Sequence, residues 1–110
     1  MARTKLSPEA LADIRAALIF TRDRHGMGKA QEYRDLIRDA RRTLSQNPRL
    51  GPARPDIAPE ARIFPIAQTG RPARHMFVYE LLDNGEVVHL VAFLYDAMDL
   101  SAQLQGRKSR

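Results

Sequence analysis

The sequence predicts an α+β domain, with two N-terminal antiparallel helices packed on a small twisted antiparallel β-sheet. Two stretches with helical periodicity fill the first half of the chain. A proline-rich connection separates them from two apolar, β-prone runs in the last third. Those runs, Arg74 to Leu82 and Glu86 to Tyr95, are joined by Asp83-Asn84-Gly85, a strong hairpin signal.

Taken in order, Arg3 to Leu6 reads as a first edge strand. Ser7-Pro8-Glu9 is a helix start: a hydroxyl N-cap, proline at the first helical position and an acid in the first turn. Leu11, Ile14, Leu18 and Thr21 recur at helical steps, with Ala10 and Ala17 widening the stripe. Gly26 and Gly28 break the pattern. A second helix places Ala30, Tyr33, Ile37, Ala40 and Leu44 on one face, and Asn47-Pro48 stops it. The pair forms a helical hairpin whose stripes need a third surface to cover.

Residues 48–60 hold Pro48, Pro52, Pro55, Pro59 and Gly51, an irregular connection expected to pack on the domain. Arg62-Ile63-Phe64-Pro65-Ile66 begins a strand. Pro65 cannot donate to a ladder, so that strand should be at an edge or broken there. Thr69-Gly70-Arg71-Pro72 marks a turn. In the hairpin, Phe77 and Tyr79 share one face, and Met76 and Val78 the other. Val88, Leu90, Ala92 and Leu94 alternate with Val87, His89, Val91, Phe93 and Tyr95. Both faces of this last strand are mostly apolar, so it is either central or covered on one face from outside the domain, and a partner chain could supply that second cover. Residues 1–105 read as one domain, and 106–110 as a basic tail.

At 110 residues the chain has room for one core. It has no cysteine, which excludes disulfides and thiolate metal sites. No apolar run approaches a membrane span, and Glu9, Asp13 and Arg15 interrupt any signal-peptide pattern, so a cytoplasmic protein is expected. His25, His75 and His89 lack ligand spacing, and there is no glycine-rich phosphate loop or helix-turn-helix signature. No metal or cofactor is expected. Eighteen Lys and Arg against thirteen Asp and Glu give +5, almost all of it arginine, since only Lys5, Lys29 and Lys108 are lysines. Arginine surplus favours anionic partners: an acidic protein, nucleic acid or a ribosome.

The Leu6-Ser7-Pro8-Glu9-Ala10 opening, the Asn47-Pro48 stop and the Arg62 to Pro65 strand precede the Phe77-Val78-Tyr79 strand. A closing strand then runs into Met98-Asp99-Leu100. In this order the chain resembles the RelE/ParE superfamily of type II toxin–antitoxin toxins. The Met-Asp-Leu ending points to the ParE-like branch, although Tyr95-Asp96 stands where relatives often carry His-Gly. The resemblance implies a toxin neutralised by a cognate antitoxin, expected to be acidic and partly disordered when free. On the ParE side it implies binding to DNA gyrase and no catalytic residues. Candidate binding residues are then Arg34, Arg38, Arg41 and Arg42 of the second helix, with Phe93, Tyr95, Met98, Asp99 and Leu100 at the chain's end. The competing readings are a solvated face salt-bridged by Asp35 and Asp39, and a terminal helix packing Met98, Leu100 and Leu104 on the sheet. On the RelE side the resemblance implies messenger-RNA cleavage within the ribosome, which needs a base, cations for the phosphorane and an acid. Arg62, Arg71, Arg74, His75, His89 and Tyr95 are candidates, with Arg62, Arg74 and Tyr95 as the site. A non-toxic antitoxin-binding relative is the third reading.

Overall fold

The computed structural model describes residues 1–66, 75–95 and 104. In chain order, β1 (Arg3–Leu6), α1 (Pro8–His25), α2 (Met27–Gln46), β2 (Arg62–Pro65), β3 (His75–Leu82) and β4 (Val87–Tyr95) build two helices on one sheet. The strand order is β1-β4-β3-β2. β2, β3 and β4 pair antiparallel, as expected, but β1 lies parallel to β4, so the sheet is mixed. Parallel neighbours need a long connection, and everything from α1 to β3 lies between these two. β2 is an edge strand, which tolerates Pro65. The expected turn at 69–72 and the basic tail lie outside the described residues.

Ser7 caps α1, its Oγ accepting from the Ala10 N–H at 2.9 Å. The inward face of α1 is Ala10, Ile14 and Ala17; Leu11, placed inward by its spacing, is 37% exposed. Two alanines let the helix lie close to the sheet, and the stripe rotates to use them. Gly26 alone, at φ 91°, links the helices, while Gly28 is inside α2. The stripe Ala30, Tyr33, Ile37, Ala40 and Leu44 is buried throughout.

The helix-covered face of the sheet gathers Phe77, Tyr79, Val88, Leu90 and Phe93 against Ile14, Ile37 and Leu44. On the opposite face Ile63, Val78, Ala92 and Leu94 pack with Ile57, Ala61 and Leu104. β4 is central in the sheet, the first of the two arrangements its apolar faces allow, and the second cover comes from the chain itself and not from a partner. Leu104 is helical and buried, in keeping with the packing role at that residue, whereas Met98 and Leu100 lie outside the described residues.

Simple alternation in β4 fails at one place. Val78 pairs with Ala92 and Tyr79 with Leu90, so Val91 is an extra residue in β4. Such a bulge moves every later side chain to the other face. Ala92 and Leu94 consequently leave the face of Val88 and Leu90, and Phe93 joins it. The start of α1 serves the irregular backbone. Ser7 Oγ donates to the Val91 carbonyl at 2.9 Å, the Ser7 N–H to Leu90 at 3.0 Å, and the Phe93 N–H to Asp13 Oδ2 at 3.0 Å.

At the hairpin, Leu82 pairs with Val87, so the loop is four residues, Asp83 to Glu86. Asp83, Asn84 and Gly85 all take positive φ (52°, 57° and 89°), a conformation Asp and Asn tolerate better than other side-chain-bearing residues. After α2, Tyr79 ties the chain to the sheet: its hydroxyl donates to the Pro48 carbonyl and accepts from the Gly51 N–H, each at 2.9 Å. A Cβ on Gly51 would collide with the Ile63 carbonyl oxygen and this hydroxyl.

Tyr79→Phe leaves those two partners without their hydroxyl and should lower unfolding free energy by about 1–3 kcal/mol in urea titrations. Gly51→Ala should cost more, because backbone must move. Leu104→Ala should destabilise by about 2–5 kcal/mol, the range for a buried leucine. A loss near zero would show that Leu104 does not contribute to the second core.

Candidate functional site

β3 begins and β4 ends at the same end of the sheet, where His75 and Tyr95 are cross-strand partners. The His75 ring stacks on Phe93, with centroids 4.9 Å apart and planes at 6°, and Tyr95 meets it edge-on at 4.3 Å. From α2, the Tyr33 hydroxyl shares a 2.7 Å hydrogen bond with His75 Nδ1. Phe77 packs on Phe93 at 4.9 Å and completes the cluster. Tyr33 and Phe93 are buried; His75 and Tyr95 are half-buried and form its accessible edge. Burial, with the Tyr95 phenol as the lesser cause, pushes the Tyr33 hydroxyl far above its ordinary value, so it stays protonated. A half-buried aromatic edge backed by packed rings is suited to anchoring a partner side chain.

The structure does not bring Arg62 to this cluster. Arg62 pairs with Tyr79, four ladder positions from His75, roughly 13 Å along the strand. Its guanidinium donates to the Gly51 carbonyl at 2.7 Å and the Arg49 carbonyl at 3.2 Å, bracing the loop after α2. Arg71, Arg74, Met98, Asp99 and Leu100 lie outside the described residues. His89 pairs with Glu80 at 3.2 Å, partly buried on the face away from the helices, beside a mostly apolar cavity bounded by Ser7, Val91 and Leu104.

The α2 arginines divide. Arg38 is held by Asp35 at 3.3 Å and Asp39 at 3.5 Å, the salt-bridged arrangement weighed for this face. Arg41 donates to Thr4 Oγ1 at 2.9 Å. Arg38, Arg41 and Arg42 line one cavity of about 250 Å³ with Thr4 and Ser45, and Arg34 stays outside it. Sequence reasoning read Tyr33 only as part of a core stripe. Its hydroxyl on an otherwise apolar stripe was the available signal, but its partner is 42 residues away. Among the described residues no group of three or more His, Asp and Glu could hold a metal, and no helix is long and apolar enough to cross a membrane.

Two N-terminal helices on a four-stranded mixed sheet define a small α+β protein. The family model of the ParE toxin of the type II toxin–antitoxin system, parDE, matches residues 4–100. The chain belongs to the ParE toxin family and is therefore the toxin half of a toxin–antitoxin pair. Its fold is similar to a solved chain titled as the chromosomal ParDE TA system from P. aeruginosa. That match has a TM-score of 0.67 at 20% identity, over 86% of this chain and 96% of the other. No curated protein matches the chain.

The buried phenols predict alkaline sensitivity. Burial raises both Tyr33 and Tyr79, the latter against the lowering effects of the Gly51 N–H and Arg62. The unfolded chain releases these protons near pH 10, whereas the fold keeps them. The native state then binds more protons, so stability should fall as pH rises beyond that point. Tyr33→Phe should flatten the decline seen in urea titrations between pH 10 and about 11.5. An unchanged slope would remove Tyr33 from the account.

Proposed function

We propose that this ParE-family toxin acts by binding DNA gyrase and trapping it on cleaved DNA, and that an acidic antitoxin neutralises it. The placement of Arg62 carries the reading. Transesterification of RNA needs a cation beside the reacting phosphate, within hydrogen-bond reach of acid and base. Arg62 instead spends its guanidinium on two backbone carbonyls, four ladder positions along β3 from the His75–Tyr95 pair. The remaining surface features are suited to binding: an aromatic edge at His75 and Tyr95, and a cationic face on α2. The charge of +5 favours an acidic antitoxin and speeds its association, and apolar anchors would supply the affinity.

Induction in bacteria should give a DNA-damage response, and the purified toxin should accumulate gyrase–DNA cleavage complexes. Tyr95→Phe keeps the ring against His75 and removes only the hydroxyl, so toxicity should be retained. A general acid at that hydroxyl would instead make the change cost about 10²–10⁴-fold in messenger cleavage. Translation-dependent messenger cleavage without DNA damage would overturn the gyrase reading in favour of a ribosome-dependent nuclease.

A further inference from the structure

We infer that the cavity between α2 and β1, walled by Arg38, Arg41 and Arg42 with the Thr4 and Ser45 hydroxyls, is a phosphate-binding site. The inference does not depend on which target the toxin has. Residues 38, 41 and 42 are three and four apart on a helix, so their side chains rise from one patch. The cavity is about 250 Å³, and three guanidinium side chains and two hydroxyls line it without a carboxylate. Arg38 has Asp35 and Asp39 as counter-ions, but among the described residues Arg41 and Arg42 form no ion pair. Two adjacent uncompensated guanidinium groups repel one another, and an anion between them relieves that repulsion.

A second observation sits on the same wall. Arg41 is pinned through its bond to Thr4 Oγ1, yet its Nε is buried and has no hydrogen-bond partner. Buried donors are almost always satisfied, and this one belongs to a residue lining the cavity, so the protein's own described groups leave the hydrogen bonding of Arg41 incomplete.

The donor set favours phosphate over carboxylate. One arginine fork already engages both oxygens of a planar carboxylate, whereas three guanidinium groups around a hollow suit a tetrahedral group with more oxygens and up to two charges. Free phosphate and the phosphodiester of a nucleic acid share this chemistry.

The test is a titration of the full-length toxin with sodium phosphate at constant ionic strength, following the arginine Nε–Hε resonances by NMR. Acetate and a glutamate-rich peptide serve as carboxylate comparisons. Phosphate should shift the Arg41 and Arg42 signals saturably, and more tightly than either carboxylate. Arg42 is exposed, so Arg42→Gln should fold with an unchanged Tm yet weaken phosphate binding about tenfold, on the scale of one lost charge-assisted contact. Arg34→Gln removes the same charge from the same helix outside the cavity, and should leave binding within about twofold. A second arm adds a short DNA duplex. Displacement of phosphate by the duplex assigns the site to a nucleic-acid backbone, and failure to displace it assigns free phosphate; both uphold the site. Shifts that never saturate, equal weakening by Arg34→Gln, or carboxylates binding as tightly as phosphate would overturn it.

Discussion

The extra residue at Val91 is the constraint on which the rest of this structure depends. An uninterrupted β4 would turn Ala92 and Leu94 toward the helices and carry Phe93 and Tyr95 away from them. With the bulge, Phe93 enters the helix-side core and Tyr95 lands opposite His75, while Ala92 and Leu94 close the second core. A bulge leaves backbone groups without ladder partners, which is costly when they are buried. Ser7 and Asp13 answer that need from α1, so helix placement and strand phase are one problem with one solution.

α2 links the two surface features. Tyr33 of its inward stripe reaches His75 at the open end of the sheet, and its flank carries the arginines facing β1. Arg62 belongs to neither. Together with Tyr79 and the side-chain-free Gly51 it fastens the loop after α2 to the sheet. An arginine on a strand of a suspected nuclease invites a catalytic role, yet a guanidinium shared between two carbonyls is a structural cross-link. The proposed partner and target binding therefore rests on the aromatic edge and the cationic helix face, not on Arg62.

The sequence by itself determined the family, the order of helices and strands, the Ser7 and Asn47 helix boundaries and the whole buried stripe of α2. These rest on local chemistry: capping hydroxyls, proline, and apolar spacing matched to the helix repeat. It also limited β2 to an edge or a break, because proline lacks the donor a central strand requires, and the sheet order makes it an edge. On α1 it named Ala10, Ile14 and Ala17 among the inward residues but gave the stripe's lead to Leu11, which the small alanines outweigh once close approach to the sheet is possible. Only the tertiary structure decided the phase of β4 beyond Leu90, the parallel seat of β1, the second cover drawn from the chain's own connection and Leu104, and the Tyr33–His75 pairing. Each depends on partners far apart in the chain, 84 residues for Ser7 and Val91 and 42 for Tyr33 and His75. Local pattern carries no record of such pairs, because the hydrogen bond that stabilises a bulge or aims a phenol exists only after the helices have docked.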